Sequence, residues 1–277
     1  MNSKYIHTAI MSAAFSAALF PIASHAAINL GGAGQYAVLA GSTVTNTGPT
    51  TVTGSVGVSP GSAVTGFPPG SVTGGFITSA DSVTAAAQAD LSKAYAAAAA
   101  LVPSQMLTGQ NLGGMTLQPG TYSFATSAQL NGILTLDYLG DPNAQFVFQI
   151  GSTLTTASLS SVISTNGGSA SGDSVFWQVG SSATLGTGTS FEGNIMAYQS
   201  ITLGTGAIID LGSALAINGA VTLDTNRLVA LAAVPEPEIS ALYLAGTGLI
   251  GFIGLKKRRR QRYCAIASAA NHAAACA

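Results

Sequence analysis

Charge, histidine and cysteine are scarce in this chain of 277 residues. Only 7% of the residues are charged, against about a quarter in an average soluble domain. All three histidines and both cysteines lie in residues 1–27 or beyond residue 260. The region between them therefore has no disulfide, and it lacks the side chains on which most acid–base and nucleophilic catalysis depends. We expect a protein that is not an enzyme and that needs no metal or other cofactor.

Basic residues are almost absent from the centre of the chain. Residues 29–234 contain eight acidic residues but only two basic ones, Lys93 and Arg227. A nucleic-acid binder needs a basic surface to neutralise phosphates. We therefore expect no nucleic-acid partner.

The N-terminal residues 1–27 have the pattern of a secretory signal peptide. Lys4 precedes an apolar run from Ala9 to Ile22, and small residues follow it. This order of a basic start, an apolar middle and a small-residue exit predicts cleavage after Ala26 or Ala27. The apolar run is too short for a membrane anchor.

The C-terminal region combines a short motif, an apolar run and a basic cluster. Pro235, Glu236 and Pro237 precede 17 uncharged residues, 239–255, and five basic residues follow at 256–260. Such a run is about 26 Å long as a helix, close to the minimum for a transmembrane segment. Residues 234–260 closely resemble the PEP-CTERM sorting signal, which implies an exosortase-type processing enzyme as a partner. The role of the tail, 261–277, stays open.

A Thr-Leu pair recurs between these two ends. It starts at residues 116, 135, 153, 184, 202 and 222, and the one long interval contains a Gly/Ser-rich loop at 164–174. Without that loop the period is 18–20 residues, which is too short for paired helices. Apolar and polar residues alternate within a repeat, as in the segment 189–197, and this indicates strands. We predict an all-β solenoid, a parallel β-helix, whose ends are covered by the Gly-rich start or by the segment from Gly109 to Tyr122.

One segment, 79–102, is rich in alanine and lacks glycine and proline. It predicts a single long helix with Ser79 as its N-cap. A stripe of four residues at helical spacing should lie along the solenoid: Val83, Ala87, Leu91 and Tyr95.

Several motifs in the centre of the chain resemble one known family. They are QPGTYSF (118–124), LTLDYLGDPNAQFVFQIGSTLTTAS (134–158), VFWQVGSSATLGTGTSFEGNI (175–195) and INGAVTLDTN (217–226). Together with the helix they resemble the DUF3494 ice-binding-like domain, over residues 28–233. The resemblance implies a right-handed β-helix of roughly triangular section and, for many members, adsorption to ice.

The family's ice-binding members often carry Thr-(Ala/Gly)-x-(Thr/Asn) on a flat face. TGPT at 47–50 fits fully, whereas the segments at 156–159, 187–190 and 205–208 miss the last position. The resemblance therefore gives these candidate ice-binding residues: Thr47, Thr50, Thr156, Ser158, Thr187, Thr189, Thr205 and Thr225. We expect Thr156, Thr187 and Thr205 to form one outward ladder, flanked by Ser158 and Thr189. The alternative is that outward threonines are simply good strand residues.

Other polar and aromatic residues allow weaker interpretations. Glu192 and Asp210 should lie one coil apart, either as a cation site or, as we favour, as a solvated pair near Arg227. The sequence Asp-Pro-Asn at 141–143 is typical of a turn. Trp177 and Tyr198 have the chemistry to stack on sugars, but packing is the more common role.

Two functions from different classes remain. The first is an ice-binding protein, exported through the inner membrane and then kept in the cell envelope or released. The second is a structural or adhesive protein of the extracellular matrix, with exopolysaccharide as its partner. A polysaccharide lyase with this architecture is disfavoured because the catalytic groups are missing. A complete Thr motif would favour ice, and a broken one the matrix.

Overall fold

The computed structural model describes residues 28–167 and 174–230. These residues form three parallel β-sheets and one long helix, so the predicted parallel β-helix is confirmed. The predicted signal peptide (1–27), sorting signal (234–260) and tail (261–277) lie outside the described residues. Among the described helices, none has both the length and the apolar character needed to cross a membrane.

Each sheet contributes one side of the solenoid, and neighbouring strands in a sheet come from different coils. From one edge to the other, sheet A contains β7 (Ile77–Ser79), β4 (Ser55–Val58), β1 (Tyr36–Ala40), β22 (Ala214–Ala216), β19 (Asn194–Ala197), β16 (Val175–Val179), β13 (Phe146–Ile150), β10 (Gly120–Phe124) and β8 (Gln105–Met106). In the same manner, sheet B contains β11 (Ala128–Leu130), β14 (Leu154–Thr156), β17 (Ala183–Leu185), β20 (Ile201–Leu203), β23 (Val221–Asp224), β2 (Thr43–Thr47) and β5 (Ala63–Thr65). Sheet C contains β6 (Ser71–Thr73), β3 (Thr51–Thr53), β24 (Arg227–Val229), β21 (Ile208–Asp210), β18 (Ser190–Glu192), β15 (Ser161–Thr165), β12 (Ile133–Asp137) and β9 (Thr116–Leu117).

The order of the coils in space differs from their order in the chain. The last coil of the chain, β22 to β24, pairs strand by strand with the coil of β1 to β3. The coil that follows β3 ends the stack on one side, and β8 and β9 end it on the other. The segment from Gly109 to Tyr122 therefore contributes to one end through β9, whereas the strands of the Gly-rich start lie inside the sheets and β5, β6 and β7 form the other end.

The predicted helix is present as α1 (Ser82–Ala100), and a short 3₁₀ helix, Gly31–Gln35, packs against it. The prediction of Ser79 as the N-cap is wrong, because Ser79 belongs to β7 and the side chain of Asp81 accepts the bond from the Thr84 amide, at 2.7 Å. Asp and Ser are about equally good caps, so the sequence could not decide between them. Val83, predicted on the buried stripe, is 67% exposed. The residues that pack inward are Thr84, Ala87, Leu91, Ala94 and Ala98.

The inner strands of sheet A, such as β13 and β16, are buried on both faces because α1 covers their outer side, whereas the edge strands β7 and β8 are exposed. On β13, Phe146 and Phe148 point into the solenoid, while Val147 belongs to the cluster formed with the helix. Gln149 also faces the helix, and its Nε2 donates to the carbonyls of Ala98 and Leu101 at the helix end, both at 2.8 Å. A strand that is buried on both faces has a nearly continuous apolar sequence, which explains why the segments 146–150 and 175–179 do not alternate between apolar and polar residues. The central part of sheet A is therefore not an exposed surface.

Aromatic rings fill the interior of the solenoid. The indole of Trp177 lies parallel to the ring of Phe148, with their centroids 3.9 Å apart, and Phe191 contacts it from another side at 4.8 Å. The indole nitrogen of Trp177 donates to the carbonyl of Glu192 at 3.0 Å. The preferred interpretation of Trp177 as a packing residue is therefore confirmed.

The Trp177→Ala variant should lower the free energy of unfolding by about 3–5 kcal/mol, the usual loss when a buried aromatic residue is truncated. Denaturant unfolding monitored by circular dichroism measures this. Val102→Ala serves as the control, because Val102 is 85% exposed and surface changes usually stay within about 0.5 kcal/mol. A Trp177→Ala variant as stable as the control would contradict the packing of the indole in the interior.

Candidate functional site

The outer face of sheet B carries a ladder of threonines in register. Thr155 pairs with Thr184, Thr184 with Thr202 and Thr202 with Thr222. Across the junction between the last and first coils, Thr222 pairs with Thr45, and Thr45 with Thr65. All six side chains are exposed, and Gln129 occupies the same position on the edge strand β11. At about 4.8 Å per strand, the six threonines extend over about 24 Å.

A second row lies two residues before the ladder, where the chain enters sheet B. It contains small residues: Ser127, Thr153, Ser182, Ser200, Ala220, Thr43 and Ala63. Several of these hydroxyls are already bonded within the protein. Thr153 donates to Ser127 at 2.9 Å, and the oxygens of Ser182 and Ser200 accept from backbone amides of the next coil. By contrast, no hydroxyl of the six ladder threonines bonds to another group among the described residues. The ladder is the part of this face that is open to water.

The exposed face of sheet B is uncharged at every ladder and second-row position. Each ladder threonine that occupies the centre of a three-residue strand is flanked by two buried residues, as Ala183 and Leu185 flank Thr184. The outward neighbours of these threonines, two residues earlier in the chain, are the small residues of the second row. The result is a plane of methyl and hydroxyl groups on a fixed spacing.

Three of the eight candidate ice-binding residues are buried in the interior. Thr50, Thr156 and Thr189 are between 0% and 3% exposed, and the hydroxyls of Thr156 and Thr189 bond to each other at 2.8 Å. The predicted outward ladder of Thr156, Thr187 and Thr205, flanked by Thr189, is therefore wrong.

The error is a register error of two residues. The prediction aligned Thr153-Leu154 with Thr184-Leu185, but Leu154 pairs with Ala183 and Thr155 with Thr184. Thr156 consequently lies at the level of Leu185, and both point inward. Thr156 directly follows the outward Thr155, and successive side chains of a strand alternate between its two faces, so Thr156 cannot share the outer face with the ladder. The pairs at 116 and 135 are a separate case, because they belong to sheet C.

The other five candidates lie at the corner between sheets B and C. Ser158, Thr187 and Thr205 are exposed residues of tight turns, while Thr47 ends β2 and Thr225 follows β23. Thr205 and Thr225 both donate to the carboxylate of Asp224. In the three incomplete motifs the fourth position is Leu159, Ser190 or Ile208. Ser190 and Ile208 begin the sheet C strands β18 and β21, and none of the three residues belongs to the exposed face of sheet B. The residue at the fourth position therefore does not show whether the exposed face of sheet B is complete, and it cannot be used to choose between ice binding and the matrix function.

The ladder threonines were not identified in the sequence, although a signal was present. Each of Thr184, Thr202 and Thr222 is a single threonine between two apolar residues, which is the pattern of a strand with one outward position. The pairs at 184, 202 and 222 are 18 and 20 residues apart, so the repeat itself marked this face.

Sheet C carries the acidic pair. Glu192 and Asp210 are neighbours in register, as predicted, and Arg227 bonds to Asp210 at 2.7 Å. Burial raises the pKa of Glu192, the hydroxyl of Ser164 opposes this by donating to the carboxylate at 2.6 Å, and the charge of Asp210 adds to the rise. The pair borders a shallow groove of 280 Å³. Within residues 28–167 and 174–230 no three potential ligands come together as a metal site would require.

The turn at 141–143 and the ring of Tyr198 match the interpretations that the sequence favoured. The carboxylate of Asp141 accepts from the amide of Asn143 at 2.9 Å, which is a local turn contact. Tyr198 is half-exposed and lies 6.1 Å from the ring of Tyr95 on α1. Both contacts serve the structure.

The Glu192→Gln variant should melt at a higher temperature than the parent at pH 7. A folded-state pKa above the unfolded value means that the ionised carboxylate opposes folding, and this penalty disappears as the pH falls below about 4.3, the ordinary value for glutamate. The stability difference should therefore be present at pH 7 and absent at pH 4. Calorimetry at both values tests this, and a variant that is less stable at pH 7 would contradict the burial of Glu192.

Comparison with known proteins gives a consistent result. The model of the Ice-binding-like family matches residues 38–229. An ice-binding protein of Nostoc sp. (strain HG1) is 54% identical over 241 residues, which are 84% of this chain and 88% of the relative. An ice-binding protein of Colwellia sp. is 32% identical over 82% of this chain and 93% of the relative.

Solved structures agree with the fold. An ice-binding protein from an Antarctic biological consortium is 42% identical with a TM-score of 0.70, over 82% of this chain and 96% of that one. The ice-binding protein of the Antarctic ascomycete Antarctomyces psychrotrophicus is 40% identical with a TM-score of 0.71, over 75% of this chain and all of that one. A parallel β-helix with a flanking helix, matched along nearly its whole described length, assigns this chain to the Ice-binding-like family.

Proposed function

We propose that this protein adsorbs to ice through the exposed face of sheet B and so limits ice growth. The observation that carries the proposal is the ladder of six in-register threonines: Thr45, Thr65, Thr155, Thr184, Thr202 and Thr222. The family and the names of its relatives support the function, and the ladder supports the choice of face.

The chemistry of the ladder suits a surface made of water. Its rungs repeat every 4.8 Å or so along the solenoid, and the second row stands about 6.7 Å away along each strand. Methyl groups of this grid exclude bulk water, while the hydroxyls, which have no described partner in the protein, are free to bond to it. Because threonine is β-branched, few χ1 rotamers are open to it, and the grid stays regular. Such a plane holds water in an ordered layer that merges with the ice lattice.

We further propose that the chain is exported and then processed at its C-terminus. The basic start and apolar run of residues 1–27 support export. Pro235, Glu236 and Pro237, followed by the apolar run and the basic cluster, support recognition by an exosortase-type enzyme at the inner membrane. The product then stays in the cell envelope or is released.

The same sorting signal supports the second function, a structural or adhesive protein bound to exopolysaccharide. That function does not need a flat uncharged face with unbonded hydroxyls. We therefore place adsorption to ice first, and the matrix function becomes the conclusion if the parent protein does not shape ice.

The Thr184→Tyr variant should lose most of the parent's thermal hysteresis, because one tall ring in the middle of the ladder holds the plane away from the ice. Nanolitre osmometry with observation of crystal shape measures this. Thr51→Tyr is the matched control, since Thr51 is equally exposed but lies on sheet C. Both variants should keep the parent's melting temperature within a few degrees, as surface changes do.

Two results would contradict this choice of face. The first is unchanged crystal shaping by Thr184→Tyr. The second is an equal loss in Thr51→Tyr. A third variant, Thr187→Tyr, tests whether the contact extends to the corner turn.

The exported protein should lack residues 256–277. A processing enzyme in the membrane needs the arrangement of motif, apolar run and basic stop that residues 234–260 provide. Intact mass of the protein recovered from the cell surface or medium measures this. A mass that still includes the basic cluster would show that the resemblance to a sorting signal is not functional in this chain.

A further inference from the structure

A second ladder of side chains lies inside the solenoid, behind the corner between sheets B and C. Its members are the residues immediately before the sheet C strands that pair in register: Ser160, Thr189, Ala207, Asn226 and Thr50. All five are buried. Four are small polar residues in an interior that is otherwise almost entirely apolar. We call them, with Thr156, the corner ladder.

The polar groups of the corner ladder bond from one coil to the next. Ser160 donates to the carbonyl of Leu130 at 3.0 Å, and Thr189 donates to that of Ala157 at 3.2 Å. Each of these acceptors belongs to the preceding coil. The contacts therefore join adjacent corners, much as backbone bonds join adjacent strands.

Asn226 makes the corresponding contact between coils further along the corner ladder. The Nδ2 of Asn226 donates to the carbonyls of Gly204 and Ala207 at 2.8 and 3.1 Å. Its backbone amide donates to the hydroxyl of Thr50 at 3.0 Å. The side chain thus bonds to the preceding coil, which contains Ala207, whereas Ala207 itself has no polar side-chain group with which to bond to the coil before it.

In the middle of the corner ladder, the polar groups of neighbouring coils bond to one another. The hydroxyls of Thr156 and Thr189 bond to each other, and the amide of Gly186 donates to Thr156 at 2.9 Å. The coils approach closely at this point, since a Cβ on Gly186 would lie 2.7 Å from the carbonyl oxygen of Thr156. Glycine at that position and a hydroxyl opposite it together set the height of one corner above the other.

We propose that the corner ladder is a positioning device for the ice-binding face, an inference that rests on the proposed function. A typical strand of sheet B has three residues and one outward threonine, so the contacts at its two ends determine its orientation. One end of the strand follows a residue of the second row, and the other end leads through a short turn to a residue of the corner ladder. Fixed corners keep the outward threonines of successive coils in one plane. An unbonded corner allows a coil to tilt, and its threonine then leaves the plane while the fold remains intact.

The test is the Thr189→Val variant of the purified protein, which keeps the volume and removes the hydroxyl. We expect a severalfold fall in thermal hysteresis with an unchanged circular dichroism spectrum near 0 °C. Thr189→Ser restores the hydroxyl and should restore most of the activity. Ile195→Val, a core change on sheet A, is the control for stability, because it lowers the melting temperature without touching the corner.

The outcomes separate this inference from the proposed function. A parent-like thermal hysteresis in Thr189→Val would overturn the positioning role, as would an equal loss in an Ile195→Val protein of matched melting temperature. If Thr189→Ser behaves like Thr189→Val, the hydroxyl is not the cause and the inference also fails. Thr184→Tyr, measured alongside, reports on the face itself: if it too is parent-like, the choice of sheet B is at fault and the positioning role falls with it.

Discussion

The register of the parallel strands in sheet B is the constraint on which this account depends. Backbone bonds between coils fix which residues lie above one another, and Thr184, Thr202 and Thr222 become neighbours for that reason alone. Because the period of a strand is two, a slip of one residue in any coil would turn its threonine inward and bring an apolar residue to the surface. The last coil must also pair with the first, through Thr222 and Thr45, before the ladder is continuous. The proposed ice-binding surface therefore exists only in the complete solenoid.

The three sheets divide the remaining tasks. The inner strands of sheet A pack against α1 on one face and against the aromatic interior on the other. Sheet C carries the few charged groups, among them Glu192, Asp210 and Arg227. On sheet B the ladder and second-row positions carry no charged side chain, and Asp224 lies beyond them at the corner with sheet C. Charged groups hold water in their own hydration shells, so the absence of charge from the ladder and second-row positions favours an ordered water layer there.

Much of this structure could be predicted from the sequence, and the failures have a common physical cause. Alternation and a short repeat predicted the solenoid, and the alanine-rich segment predicted α1. The repeat could not fix the register across the loop at 164–174, because an insertion of unknown path hides the true alignment of Thr155 with Thr184. Identical Thr-Leu pairs on two different sheets added to the error. Burial of Thr50 and Thr189 depends on contacts between coils, which a local pattern does not contain.

The most direct test of the central claim is a labelling measurement on single crystals of ice. With Cys264 and Cys276 replaced by alanine, one cysteine is introduced at Thr202 or at Ser71 and coupled to a bulky fluorophore; Thr202 lies on the ladder, and Ser71 is exposed on sheet C. Growing ice should incorporate the protein labelled at position 71 and reject the one labelled at 202. Equal fluorescence of the ice with both labels, or rejection of the label at 71 alone, would contradict the assignment of sheet B as the ice-binding face.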